Sequence, residues 1–184
     1  GKQEEKPSER SKKLDETDGP YYQLDRKGGI FSNLKWYVYD RNNNTVWSRL
    51  QVYALRQADE TFYLQIKSYY HPDAPMKDGY YTLRIRRPDE ATFTEHLVNA
   101  EACRNKYTNP NYDECIRNPL KNKYTYFNLK TRSVVELMDE ESIDSKSWHI
   151  AFKIHDIKLN SGMNGPLSTQ GAMIKERSVE DVGG

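Results

Sequence analysis

The chain has 184 residues and a formal net charge of +1 at pH 7, with 28 basic and 27 acidic residues interspersed. It therefore lacks the basic patch that attracts nucleic acids or anionic membranes. Hydrophobic residues make up only 36% of the sequence, and 14 Tyr, 5 Phe and 3 Trp supply much of the apolar surface. Such a tyrosine-rich composition favours sheet over helix. No apolar run approaches the roughly 18 residues of a transmembrane helix.

Residues 1–19 differ in composition from the rest of the chain. Eleven of them are charged, and only Leu14 is a large aliphatic residue. A segment of this kind cannot bury enough apolar surface to offset its ordering entropy, so we expect a disordered tether. Residues 20–184 are then expected to form a single domain.

An alternating pattern begins near residue 34. Leu34, Trp36 and Val38 alternate with the residues between them, as expected for a strand with two different faces. Residues 40–44 (DRNNN) then supply turn chemistry that tolerates a positive φ. The pattern predicts a β-hairpin.

Three further strands are predicted at residues 51–56, 61–69 and 80–86. The linkers between them, residues 57–60 and 72–79, have the composition of turns. Apolar residues recur at every second position of the last two strands and are expected to face the core: Phe62, Leu64, Ile66, Tyr81, Leu83 and Ile85. The three segments predict a β-meander.

One short helix is predicted over residues 89–101, with Asp89 as its N-cap. The residues at helical spacing within it are Phe93, His96, Leu97 and Ala100. His96 would lie on the buried stripe, where a lone histidine is more often a hydrogen-bonded core residue than a ligand. A polar loop with prolines follows over residues 103–119.

The only two cysteines, Cys103 and Cys115, lie at the two sides of this loop. A disulfide between them would close a poorly anchored segment and contribute about 3 kcal/mol by the loop-entropy argument. Pairing would imply an oxidising compartment, periplasmic or extracellular. The alternative is two free thiols in a cytosolic protein. A zinc site is disfavoured because the spacing lacks a CxxC element.

The segment 148–155 has the two-residue period of a strand with a core face and a second, histidine-bearing face. Trp148, Ile150, Phe152 and Ile154 would face the core, opposite His149, Ala151, Lys153 and His155. A glycine-containing bend follows over residues 160–165. In its simplest interpretation, this bend only permits tight turns.

These C-terminal segments resemble the N-terminal half of the HmuY family of haem-binding β-proteins. The similar residues are 123–136 (KYTYFNLKTRSVVE), 148–152 (WHIAF), 157–162 (IKLNSG) and 171–172 (GA). His149 stands where the family pattern has Asp, and Ser161 stands where it has Gly. The resemblance implies a mainly β fold with an antiparallel, sandwich-like sheet and, from the pattern above, one short helix.

The two halves of the resemblance occur in reversed order. Residues 20–87 resemble the family's C-terminal half, whereas residues 120–175 resemble its N-terminal half. The order indicates either a circularly permuted domain or a chain cut from tandem units. We favour permutation because terminal strands of a domain commonly lie close together.

The resemblance implies haem binding by axial histidine or methionine side chains. The candidate ligands are Met163, Met173, His71 and His155. His149 and His155 are roughly 20 Å apart along a straight strand, so they cannot bind one iron together. Met163 is the most unusual candidate, since a thioether in a glycine-rich loop has no evident core to fill. Methionine or mixed ligation is therefore expected rather than two histidines.

The resemblance also implies a biological setting. HmuY-type proteins are exported, often as lipoproteins, so we expect a protein of the cell surface, periplasm or medium that is lipid-anchored through the tether. Its partners would be haem or a haem-carrying protein and an outer-membrane receptor, in haem and iron acquisition. No catalytic motif is present, and no enzyme activity is expected. The alternative is a surface β-domain that binds protein or carbohydrate instead of haem.

Overall fold

The computed structural model describes residues 23–24, 30–33, 35–104, 106–107 and 109–174. The predicted tether at residues 1–19 and the residues after Ile174 lie outside the described residues.

Most of the described chain is extended. Its strands are β1 (Gln23–Leu24), β2 (Tyr37–Asp40), β3 (Thr45–Ser48), β4 (Val52–Gln57), β5 (Glu60–His71), β6 (Ala74–Arg86), β7 (Thr94–Asn99), β8 (Thr125–Asn128), β9 (Ser133–Val135), β10 (Ile150–Lys153), β11 (Asp156–Leu159) and β12 (Gln170–Met173). Three short helices accompany them in the described part: α1 (Ile30–Asn33), α2 (Tyr112–Arg117) and α3 (Asp139–Ser142).

The strands form three antiparallel sheets. The largest has the order β1-β12-β4-β5-β6-β7, the second has the order β11-β10-β8-β9, and β2 pairs with β3 alone. The first two sheets share one core, to which Leu64 and Leu83 contribute from one side and Phe127 and Phe152 from the other. The predicted mainly β, sandwich-like class is therefore confirmed.

The predicted hairpin and meander are also confirmed. In the hairpin of β2 and β3, Tyr37 is opposite Ser48 and Asp40 is opposite Thr45. β4, β5 and β6 are consecutive neighbours in the large sheet, and all six residues expected to face the core are at most 1% exposed. One detail differs, because most of the expected loop at residues 72–79 is strand. β6 already begins at Ala74, so the β5–β6 hairpin is long and its turn is at Pro72–Asp73.

The predicted helix at residues 89–101 is wrong. Asp89 lies in a turn, and residues 94–99 form β7. β7 pairs with β6, so that Thr94 is opposite Ile85 and Asn99 is opposite Tyr80. Val98 and Ala100 are buried at the two-residue period of a strand, whereas Leu97 is 46% exposed. Over so short a segment, the same apolar residues fit the helical spacing and the two-residue spacing of a strand. The strand forms because the edge of β6 offers this segment a complete ladder of hydrogen bonds.

The single strand expected over residues 148–155 is instead a hairpin. β10 ends at Lys153, the chain turns at Ile154 and His155, and β11 returns antiparallel to β10. Trp148 precedes β10 and packs in a separate cluster with Tyr126 and Ala151, apart from Ile150 and Phe152. Its position follows from a hydrogen bond of 3.0 Å that its indole donates to the carbonyl of Ser142.

Both halves of the chain contribute to the large sheet. β12, from the C-terminal segment, lies between β1 and β4 from the N-terminal segment. In its pairing with β4, Gln170 is opposite Arg56 and Met173 is opposite Tyr53. The pairing extends one residue further, because Ile174 N donates a hydrogen bond of 2.9 Å to Val52 O. This pairing joins the C-terminal segment to the meander.

The glycine-containing loop between β11 and β12 is organised by Asn160, whose side chain is fully buried. Its Nδ2 donates to the carbonyls of Ser145 at 2.9 Å and Trp148 at 2.8 Å, and its Oδ1 accepts from Leu167 N at 3.1 Å. The Cα of Gly165 lies so close that a Cβ there would overlap the Asn160 amide. The amide thus satisfies backbone groups that would otherwise be buried without partners.

A Gly165→Ala substitution is expected to destabilise the protein by about 1–3 kcal/mol, because the added methyl group must displace the buried Asn160 amide. Urea unfolding followed by tryptophan fluorescence measures the change. Ser168→Ala is the matched control, since Ser168 is exposed in the same loop. Equal stabilities for the two variants would contradict the role given to Asn160.

Candidate functional site

One end of the sheets carries a connected group of aromatic rings, here called the aromatic end: Trp36, Tyr37, Tyr69, Tyr81 and His155. The ring centroid of Trp36 lies 4.9 Å from that of Tyr37, 5.6 Å from that of Tyr69 and 5.3 Å from that of Tyr81. The Tyr37 ring in turn lies 5.8 Å from the imidazole of His155. The rings therefore form a continuous path from the core to an exposed histidine.

Three separate elements bring these rings together. Trp36 immediately precedes β2, while Tyr69 and Tyr81 point inward from β5 and β6. The β10–β11 turn is attached by two bonds, because the Trp36 indole donates to His155 O at 3.2 Å and the Tyr81 hydroxyl donates to Ile154 O at 2.5 Å. The position of His155 is thus set by two buried aromatic residues, Trp36 before β2 and Tyr81 of the large sheet.

The buried phenols of the aromatic end are neutral. Burial raises the pKa of Tyr81 well above its usual value, and the neighbouring Tyr69 hydroxyl acts in the same direction. Burial likewise raises the pKa of Tyr69, which the positive charge of Arg104 offsets only in part. Neither side chain is therefore suited to bind a metal ion as a phenolate.

His155 is the most accessible histidine of this end. Its side chain is exposed, and its imidazole nitrogens make no hydrogen bond within the described residues. Because a neutral imidazole binds a metal through an unprotonated nitrogen, either tautomer of His155 can serve without breaking an existing bond. Of the two predicted histidine ligands, His155 has the fewer structural commitments within the described residues.

His71 lies at the tip of the β5–β6 hairpin, at the same end of the molecule. Its ring packs edge-on against Tyr80, with centroids 4.8 Å apart. Its Nδ1 accepts a hydrogen bond of 3.1 Å from the backbone N–H of Asp73. This bond places the proton on Nε2, so binding a metal through Nε2 would require the other tautomer and the loss of the bond to Asp73.

Backbone bonds connect the β10–β11 turn to β6, the strand that pairs with the His71 end of β5. Ile154 N donates to Ala100 O at 2.7 Å, and Ala100 N donates to Gly79 O at 2.7 Å. Gly79 is adjacent to Tyr80, the residue against which His71 packs. The structure therefore brings His155 and His71 to the same end of the sheets.

The two methionine candidates lie elsewhere. Met163 is 73% exposed in the loop that Asn160 organises, at the other end of β11 from His155. From residue 155 to residue 160 a strand extends roughly 16 Å. Met173 is half-buried in β12, where it pairs with Tyr53 and packs against the core. Neither methionine accompanies His155.

The remaining histidines, His149 and His96, are occupied by structural contacts. The Nδ1 of His149 accepts from Leu129 N at 3.0 Å, and burial lowers the pKa of this side chain. His96 is only half-buried, where the sequence predicted the buried stripe of a helix, and its Nε2 lies 2.8 Å from the Thr94 hydroxyl. Burial lowers its pKa as well.

A cation and a disulfide adjoin the aromatic end. Arg104 forms an ion pair with Asp78 of β6, and its positive charge acts on the Tyr69 hydroxyl. Its neighbour Cys103 is joined to Cys115 by a disulfide, with Cα atoms 5.6 Å apart. The disulfide closes the loop that contains α2 and fixes the backbone from which Arg104 projects.

The sequence did not identify the aromatic end as a unit. Tyr37 is half-buried against the core, although it occupies the strand face opposite Trp36 in the alternating pattern. A usable signal exists in hindsight: Trp36, Tyr69 and Tyr81 are large aromatic residues on inward positions of three neighbouring segments. Within the described ranges, no group of three His, Cys, Asp or Glu side chains could hold a metal ion.

The fold and site define a class of protein: an all-β domain with a disulfide-closed loop and an exposed imidazole on an aromatic cluster. The model of the HmuY protein family matches residues 121–183. Over that segment, which contains β8 to β12, the chain is HmuY-like. No curated protein and no solved structure matches the chain. The helices of the described residues are all too short or too polar to cross a membrane.

The lowered pKa of His149 predicts a pH-dependent stability. The unfolded chain binds the proton more readily than the folded chain, so the free energy of unfolding should fall as the pH drops below about 6.5. In His149→Gln, which keeps an acceptor for Leu129 N, the fall between pH 7.5 and 5.5 should be smaller. Urea unfolding of both proteins at the two pH values tests this, and parallel losses would contradict it.

Proposed function

We propose that this protein binds haem at the aromatic end, with His155 as the principal axial ligand. The observation that carries the proposal is the exposed imidazole of His155, which lies beside the Tyr37 ring and makes no hydrogen bond within the described residues. The match of residues 121–183 to the HmuY family supports it, because this family binds haem without catalysing a reaction.

The residues at this end suit the chemistry of haem. An iron porphyrin offers an axial position that imidazole fills, a broad apolar ring and two anionic propionates. His155 would supply the imidazole, and His71 is the second candidate ligand at the same end. Tyr37 would contact the ring beside His155, and Tyr80 would do so beside His71.

The phenols that line the aromatic end have a supporting role. Tyr81 holds the β10–β11 turn through its bond to Ile154 O, which keeps His155 at the surface. The Trp36 indole donates a second hydrogen bond, to the carbonyl of His155. The backbone that carries the imidazole is therefore held by two neighbouring carbonyls. A ligand side chain held in this way loses little conformational entropy on binding.

The setting proposed for this activity is the cell surface, the periplasm or the medium, where the Cys103–Cys115 disulfide would persist. The charged segment 1–19 would serve as a tether between a lipid anchor and the domain. Haem would come from a haem-carrying protein and pass to an outer-membrane receptor in iron acquisition. No catalysis is proposed.

A visible-region titration with haemin tests the proposal. Micromolar wild-type protein should give a shifted Soret band, and His155→Ala should weaken binding by at least about tenfold because the axial bond is lost. His71→Ala should weaken it less. Met163→Leu is the matched control, since Met163 is an exposed candidate ligand at the opposite end of β11.

Two results would contradict the proposal. A wild-type protein that leaves the haemin spectrum unchanged would remove the haem function altogether. Loss of the shifted band in Met163→Leu, with the band retained in His155→Ala, would move the site to the glycine-containing loop. Because His155 is exposed, its substitution should leave the unfolding midpoint in urea nearly unchanged.

A further inference from the structure

A concave surface lies on the large sheet, mainly on the face that points away from the core. It is a groove of about 420 Å³ across β5, β6 and β7, and its lining includes Lys67, Ser68, Tyr70, Thr82, Glu95 and Leu97. Ser68 pairs with Thr82, and Thr82 pairs with Leu97, so these three residues form one row across the strands. Residues in such a row share a face of the sheet.

The groove results from irregular pairing between β5 and β6. The register shifts between Ile66 and Ser68 and again between Ser68 and Tyr70. Shifts of this kind increase the local twist and bend the strand. The small side chains of Ser68 and Thr82 then form the floor, while larger side chains rise around it.

The chemistry of the lining differs at its two ends. Leu97, which is 46% exposed, gives one part an aliphatic wall. Tyr70 gives it an aromatic wall and is fixed there, because it also packs against the core and its hydroxyl accepts a hydrogen bond of 2.8 Å from Val46 N. At the other end the Lys67 ammonium pairs with the Glu95 carboxylate at 2.8 Å. Each of these two side chains is about half exposed, so both retain hydrogen-bonding capacity toward a ligand.

These features exclude several classes of ligand. A purely apolar ligand would bury the hydroxyls and the ion pair without partners, which is costly. An anion would meet only one lysine, whose charge Glu95 already neutralises. A free amino acid would have to separate the ion pair to bind both of its charges.

We infer that this groove binds a neutral saccharide. A sugar ring offers an apolar face for the Tyr70 ring, and its adjacent hydroxyls both donate and accept hydrogen bonds, as the Lys67–Glu95 pair requires. The volume falls within the usual range of small-molecule sites and suits a mono- or disaccharide. This inference does not depend on the proposed haem function, because none of the residues given to the haem site lines the groove. Tyr80 is nevertheless a neighbour of the groove, two residues before Thr82 on the same face of β6.

Saturation-transfer NMR with maltose, lactose and N,N′-diacetylchitobiose tests the inference. At least one of the three probes should receive saturation from the wild-type protein. Glu95→Gln and Leu97→Ser should each weaken that binding by about tenfold, through loss of a charge-assisted hydrogen bond and of apolar contact respectively. Leu120→Ser is the control, since Leu120 is 68% exposed and outside the groove lining.

Several results would overturn the inference. One is the absence of saturation transfer to all three saccharides. Another is saturation transfer to a saccharide that persists in both groove variants. A third is saturation transfer only to phenylalanine, used as an amino-acid probe. Titration of the same variants with haemin separates the two proposals, because Glu95→Gln and Leu97→Ser should leave the Soret response as in the wild-type protein. Two groove variants are used so that misfolding of one does not decide the outcome.

Discussion

The backbone of Ile154 is the constraint on which the aromatic end depends. Ile154 has φ 54°, a left-handed conformation that a β-branched residue rarely adopts. Its N–H donates to Ala100 O and its carbonyl accepts from the Tyr81 hydroxyl, so the large sheet holds the turn from both sides. These bonds offset the conformational cost and fix His155, the next residue, at the surface.

The C-terminal segment therefore has two turns with different roles. The turn at Ile154 is held by partners from the other sheet and presents an imidazole. The loop that begins at Asn160 is held largely by its own buried amide and presents Met163. Because β11 separates the two, a single haem cannot bind at both, and the proposed site is the first.

The sequence predicted the meander well, because the buried residues of β5 and β6 follow a two-residue period over long segments. The first hairpin has short strands without a buried residue, and the turn residues 40–44 indicated it instead. The prediction failed at β7, where a short segment fits both helical and strand periods and the free edge of β6 decides. It also failed at Ile154, since an alternating sequence does not reveal a turn that depends on Tyr81 from a distant strand. The candidate ligands were recognisable as residue types, but their grouping required the tertiary contacts.

The most direct test of the account is paramagnetic broadening of backbone amide signals on addition of ferric haemin to isotope-labelled protein. Broadening falls off steeply with distance from the iron, so it locates the site without any substitution. We predict that the amides of Tyr37, Gly79 and His155 broaden first and that those of residues 161–169 remain sharp. Broadening centred on Met163, with the aromatic end unaffected, would contradict the account.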